Sequence, residues 1–250
     1  MKEALKKEWL KVEQQKIIGW DFSYLEGKWE NEVLPWNYFS IVGEMLKESH
    51  ELLDIRTGGG ELLQAFEHPY NKTSVTEGWL PNYRLVKKRL EPLGVTVEWI
   101  SKNNRLTFQN NTFDIVLNHH ADYDIQEVRR VLKKNGHFIT QQVGSKNGQK
   151  LANQLQIDPP ERLEWSLAVA KQQLMEADFE IVFSKESFPV QYFYDIRGLI
   201  YYVKQIPWEY PNFSVEKYFD RLLALQAELN EHKQLVNNQH RFIILAKNKT

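Results

Sequence analysis

Glu51-Leu52-Leu53-Asp54-Ile55-Arg56-Thr57-Gly58-Gly59-Gly60-Glu61 is the stretch that decides the fold. Leu52, Leu53 and Ile55 read as a buried strand. Three glycines break it, and Glu61-Leu62-Leu63-Gln64-Ala65-Phe66 follows at helical spacing. Glycine suits such a turn when the backbone must bend tightly and let a ligand approach with no Cβ in the way. The helix behind the turn offers free N–H groups to a polar or anionic ligand. At the carboxyl end of a parallel strand, a turn of this kind is the ligand crevice of an open α/β sheet.

The pattern continues downstream. Thr73-Ser74-Val75-Thr76 predicts a short strand ending at Glu77-Gly78, and Leu80-Pro81-Asn82 opens a helix carrying Leu85, Val86 and Leu90. Val95 to Ile100 predicts a third strand and Phe113 to Asn118 a fourth. Asp124 and Glu127 have the spacing of a capping box for a helix that ends at Asn135-Gly136, and His137 to Val143 predicts a fifth strand. Strands and helices alternating in this way predict a parallel sheet covered on both faces.

Both ends of the chain break the rhythm. Leu5, Trp9, Leu10 and Val12 predict an amphipathic helix; an aromatic loop from Gly19 to Gly27 follows, and Pro35 is placed to start a helix running to Met45-Leu46. After Asp158-Pro159-Pro160 a helix is expected over 161–177 and a strand over 179–183. Tyr192, Phe193, Tyr194, Tyr201, Tyr202, Trp208 and Tyr210 then crowd an excursion whose second half is a Leu222–Leu229 helix, before a final strand at Arg241–Lys247. The expected organisation is an arm over 1–48, a core over 49–186 plus 239–250, and a cap over 187–238. The arm and cap read as a lid and acceptor wall, with Tyr24, Trp36, Tyr38 and Tyr201 as its contact residues.

Composition narrows the function. A formal net charge of −1 over 250 residues makes no electrostatic case for nucleic acid or a membrane surface. The chain has no cysteine, which removes disulfides, thiolate catalysis and cysteine-based zinc sites, and no metal site is expected. The charged Met1–Glu8 stretch lacks the apolar core of a signal peptide, so the expected location is cytoplasmic.

The crevice ligand follows from the glycines. Gly58 and Gly60 supply one G-x-G, but Leu63 stands where a dinucleotide fingerprint has its third glycine, and no G-K-[ST] follows to make a P-loop. An adenosyl ligand without a pyrophosphate remains, with Glu77 placed for its ribose hydroxyls. These residues resemble the class I S-adenosylmethionine-dependent methyltransferases, in particular a bacterial small-molecule-type subgroup. Asp54, Thr57, Gly58, Gly59 and Gly60 look like the first motif, and Thr76-Glu77-Gly78 like the acid segment after it. Leu106-Thr107-Phe108 to Phe113-Asp114 is similar to L-P-F-x-x-x-x-F-D, and Val128 to Gly136 to E-V-x-R-V-L-K-P-G-G. The resemblance implies a Rossmann-like α/β fold of seven strands in order 3-2-1-4-5-7-6, the last antiparallel. It also implies S-adenosylmethionine as cofactor, held by Asp54, Thr57, Gly58, Gly59, Gly60, Glu77, Gly78, Leu106, Asn118 and His119. Two positions depart from the family: Arg56 replaces the first motif glycine, and Ser101-Lys102-Asn103-Asn104 lacks the acid that usually meets the adenine amino group.

Methyl transfer from a sulfonium needs positioning and desolvation first, and a base only where the acceptor must lose a proton. His120 is the candidate base. His119 and His120, adjacent on an extended chain, are expected on opposite faces. Strand four does not end in the Asn/Asp-Pro-Pro-Tyr/Phe pattern of many amino-group methyltransferases. A small-molecule acceptor is therefore the leading expectation. A catalytically silent binding protein with its site altered by Arg56 is the alternative, and an RNA methyltransferase a lower one.

Overall fold

A computed structural model describes residues 2–16, 22–158 and 164–249. The elements in chain order are α1 (Lys2–Glu13), β1 (Trp29–Asn31), α2 (Tyr38–Met45), β2 (Leu52–Ile55), α3 (Glu61–Gln64), β3 (Thr73–Glu77), α4 (Leu80–Leu90), β4 (Thr96–Trp99), β5 (Phe113–His119) and α5 (Ile125–Val131). They continue with β6 (Leu132–Val143), α6 (Gln149–Leu155), α7 (Leu167–Glu176), β7 (Phe179–Ser187), β8 (Val190–Phe193), α8 (Ile196–Gln205), α9 (Val215–His232), β9 (Leu235–Asn238) and β10 (Arg241–Asn248). Gly19, Trp20 and Asp21 of the aromatic loop lie outside the described residues, as does 159–163, where the helix before β7 was expected to begin.

The chain forms two units. The first gathers Met1–Leu34, Ser145–Leu163 and Ser187–His240. Its sheet is β1-β8-β9, antiparallel throughout. Trp9 and Val12 of α1, Leu151 and Leu155 of α6, Leu199 and Ile200 of α8, and Leu222 and Leu225 of α9 share one apolar core. Strand β1 comes from the N-terminal stretch and β8 from the late excursion, so these two aromatic regions form one body.

The second unit is Pro35–Gly144, Glu164–Glu186 and Arg241–Thr250. Its seven strands run β4-β3-β2-β5-β6-β10-β7, the order 3-2-1-4-5-7-6 when the strands of this sheet are counted along the chain. β2, β3, β4, β5 and β6 pair in parallel, and β10 is antiparallel to β6. One face carries Leu52, Ile115, Leu117, Ile139 and Ile243 under Val42 of α2 and Val86 and Leu90 of α4. The other carries Leu53, Ile55, Val116, Phe138 and Phe242 under Val128 of α5 and Ala170 and Leu174 of α7. Burial on both faces explains why β2 carries the apolar Leu52, Leu53 and Ile55 on either side of the strand.

Several boundaries differ from expectation. The helix opened by Asp124 ends at Val131, not at Asn135-Gly136, because Leu132 turns extended and pairs with Phe113. The strand then shifts register before His137 meets Ile115, with Asn135 at φ 65° in the shift. Asp124 caps the helix by accepting N–H bonds from Gln126 and Glu127, but Glu127 does not close a capping box. Its carboxylate accepts from Leu106 N–H at 2.8 Å and pairs with Arg130. Helix α2 begins at Tyr38 with Asn37 as its cap, so Pro35 precedes it rather than starting it. Helix α6 was not foreseen, and α7 begins at Leu167.

Candidate functional site

The glycine turn closes β2 at the edge of its parallel neighbour β3. Gly60 has φ 81° and caps α3; the left-handed turn favours glycine there, and a Cβ would also press on Leu90. Glu77, 4% exposed at the end of β3, ties the turn together. Its Oε2 accepts the Gly58 N–H at 2.9 Å, while Oε1 accepts the N–H groups of Gly78 at 2.7 Å and Trp79 at 2.9 Å. One buried carboxylate thus neutralises three backbone donors and brings the ends of two strands together. Helix α3 is a single turn, so this backbone–carboxylate cradle is the main feature of the site, rather than a helix dipole.

Asp54 lies on the β2 face that carries Leu52. Burial, aided by the Glu77 charge, pushes its carboxyl up to about 7 against some relief from Thr57. Thr57 is felt by Asp54, yet its buried hydroxyl makes no hydrogen bond of ordinary geometry among the described residues. Tyr38, buried on α2, has its phenol raised well above the ordinary value by burial and then by Asp54.

Arg56 takes φ 58° and donates its backbone N–H to Thr76 Oγ1 at 3.1 Å. Its guanidinium lies against Gly78, which has no room for a Cβ between Arg56 and the Ile100 carbonyl. Nη2 donates to Asn104 Oδ1 at 2.7 Å and to the Ser101 carbonyl at 3.4 Å, and Nε donates to Asn104 at 3.2 Å. The side chain therefore spans from the end of β2 across β3 to the loop after β4. Its partners there are an amide and a carbonyl rather than a carboxylate.

A second cluster sits at the ends of β5 and β6. Asn118, fully buried, donates from Nδ2 to the Ile55 carbonyl at 3.2 Å; its Oδ1 accepts from Gln142 at 2.6 Å and Thr140 at 3.3 Å. Asn118 thus locks β5 to β2 on one face of the sheet. His119, on the other face, pairs in register with Gln141 and lies 4.8 Å from the Tyr38 ring, centroid to centroid. His120 does not point to the opposite face as expected. Its φ of 57° ends the extended chain, its backbone N–H donates to the Gln141 carbonyl, and its ring stacks on His119 at 4.0 Å. Both imidazole Nε2 atoms then meet Gln141 Nε2, at 3.0 and 3.1 Å.

Trp36 settles the roles. Its indole N–H, which can only donate, reaches Gln141 Oε1 at 2.7 Å. Gln141 therefore turns its amide nitrogen to the histidines, and each Nε2 must accept, so both rings are neutral. Burial and the Arg241 charge hold His119 down to about 4. His120 keeps an accessible edge, yet the protein packed around it, His119 and Arg241 hold it well below the ordinary histidine value.

The predicted site residues therefore fall into groups. Asp54, Thr57, Gly58, Gly59, Gly60, Glu77 and Gly78 form the cradle. Asn118, His119, His120, Trp36 and Tyr38 gather around the ends of β5 and β6. Leu106 is buried and pinned by Glu127. Tyr24 and Tyr201 belong to the first unit, their ring centroids 4.6 Å apart. Gln141 was missed, while Asn104 lies in the loop singled out for lacking an acid and takes the Arg56 guanidinium. The available signal was Gln141-Gln142, two consecutive amides at the end of a strand otherwise apolar enough for a core. A wide cavity of about 810 Å³ opens beside the loop after β4, lined by Trp99, Asn103, Arg105 and Thr107 among others. Among the described residues no His/Cys/Asp/Glu cluster could hold a metal ion, and no helix is long and apolar enough to cross a membrane.

No protein-family model matches the chain. It is similar to the ubiquinone/menaquinone biosynthesis C-methyltransferase UbiE of Cupriavidus necator, 32% identical over 114 residues, 40% of this chain and 46% of that protein. The chain thus spans about half the length of the curated relative it matches. Its fold is similar to that of a protein assigned as a methyltransferase from Bacillus halodurans C-125, with a TM-score of 0.59 at 16% identity, covering 86% of this chain and 99% of that one. It is also similar to phosphoethanolamine N-methyltransferase 2 of Haemonchus contortus in complex with S-adenosyl-L-methionine, with a TM-score of 0.52 at 15% identity, covering 85% and 52%. The chain shares the fold of these methyltransferase structures, in agreement with the fold that the motif resemblance implies.

Proposed function

We propose that the chain is an S-adenosylmethionine-dependent methyltransferase acting on a small-molecule acceptor. The observation that carries the reading is Glu77, fixed at the end of β3 by three backbone N–H groups beside the glycine turn. A carboxylate oxygen accepts about two hydrogen bonds, so Oε2, with one protein donor, keeps capacity for a ribose hydroxyl. The residues present fit an adenosyl ligand: the buried Thr57 hydroxyl makes no hydrogen bond of ordinary geometry among the described residues, and the turn puts no side chain of its own at Gly58, Gly59 or Gly60. When bound, the sulfonium supplies an activated methyl group together with its own leaving group. Asp54 and Tyr38 wall the cradle on one face of the sheet, and Trp36 with Tyr38 leads to the end of β5, where we place the acceptor. His120, neutral and accepting from Gln141, is a weak proton acceptor there, so the reading favours positioning over general-base catalysis.

Arg56 favours a second reading, a methyltransferase-fold binding protein without activity, because its side chain crosses the end of β3 where an adenosyl group would lie. Titration calorimetry with S-adenosylmethionine and S-adenosylhomocysteine on the wild type and Arg56→Gly separates the two. The enzyme reading expects binding by the wild type. Binding only by Arg56→Gly supports the second reading, and no heat from either protein sinks the methyltransferase reading.

A further inference from the structure

The end of β5 holds two polar groups that the cradle does not use. Trp36 orients Gln141, and Gln141 occupies Nε2 of both histidines, so each imidazole carries its proton on Nδ1. No described protein group takes either Nδ1–H. The two rings are stacked, His120 has an accessible edge, and its left-handed backbone is the kind of strain that clusters at functional sites. Arg241, at the start of β10, adds positive potential felt by both rings.

We infer that the His119–His120 pair is an oxyanion site that takes the conjugate-base oxygen of the acceptor, a carboxylate or a phenolate or enolate, through its Nδ1–H donors. The placement of this oxygen on the acceptor rests on the methyltransferase reading; the oxyanion site itself does not. A neutral N–H pair suits a negative oxygen because it stabilises the charge without giving up a proton. The same lock works against a cationic ligand, since no lone pair of either imidazole remains free. The histidines thus bind and orient, and an acceptor that arrives already ionised needs no base from this chain.

Histidine tautomers test this directly. In protein carrying 15N-labelled histidine, long-range proton–nitrogen correlation spectra without cofactor are expected to show Nδ1 protonated and Nε2 bare in both rings. Titration with sodium benzoate is expected to move the Nδ1 signals, and benzamide, its neutral analogue, to act at least about ten-fold more weakly, the loss expected for a hydrogen bond to a charged group. His120→Asn, which keeps a donor near the Nδ1 position, retains the benzoate response of His119; His120→Phe, which keeps the stack, weakens it by about ten-fold. A protonated Nε2 in either ring, equal responses to benzoate and benzamide, or no response to benzoate overturns the proposal. Because these measurements need no cofactor, failure of S-adenosylmethionine to bind would sink the methyltransferase reading and leave the oxyanion site standing.

Discussion

The ends of β2 and β3 and the ends of β5 and β6 solve the same problem with different material. At the first, a single side chain, Glu77, satisfies backbone donors, and the shape comes from glycines. At the second, side chains satisfy one another: Trp36 orients Gln141, Gln141 fixes His119 and His120, and Asn118 ties Thr140 and Gln142 to β2. A backbone site depends on steric room. A side-chain site depends on a chain of donors and acceptors in which one wrong proton breaks the order.

The sharpest way to break this contrast is Glu77→Ala. It strands three donors, and we expect about 3 kcal/mol of lost stability in denaturant titration and a loss of S-adenosylmethionine affinity of at least about 100-fold, with the β5 tautomers unchanged. Gly78→Ala comes next. Its Cβ would sit 2.8 Å from the Ile100 carbonyl, a backbone atom, and we expect about 2 kcal/mol of destabilisation in the same assay.

The pH dependence of stability should set the two sites against each other. His119 falls to about 4 on folding from an ordinary 6.5, so the unfolded chain binds the extra proton between those values. Its contribution is complete above 6.5 and is lost as pH falls toward 4, with His120 acting in the same direction. Asp54 does the reverse. Raised to about 7 from 3.8, it holds a proton that the unfolded chain has released, so its contribution is lost as pH rises through that window. Each slope is at most about 1.4 kcal/mol per pH unit, and the two oppose. Urea titrations from pH 4 to 7 should show a steeper rise of stability with pH in Asp54→Asn and a flatter profile in His119→Phe than in the wild type. The smallest expected effect is Asn104→Ala, about 1 kcal/mol, with faster amide exchange in 101–104 as Arg56 loses its anchor.

How much was legible follows the same division. Gly58, Gly60 and Glu77 were readable because few residues meet the steric and charge demands of such a turn. The alternation of strands and helices from β2 to β6 announced a parallel sheet covered on both faces. The helix after Asp124 was misjudged at its end because Leu132 is claimed by Phe113 across the sheet, a contact that no local periodicity records. His120 was misplaced because period-two alternation applies only while φ stays extended. Arg56 was readable as a departure, but the direction of its side chain was not.

By itself, then, the sequence determined the alternation of strands and helices, the glycine turn with its acid at the end of the next strand, and the family resemblance those motifs carry. These are local matters of backbone geometry and hydrophobic periodicity. Only the tertiary structure decided that Arg56 reaches Asn104, that residues before 35 and after 186 build one sheet, and that Gln141 accepts from Trp36 and donates to both histidines. Each of these joins groups far apart in the chain, and such joins are set by strand register and packing rather than by neighbours in sequence.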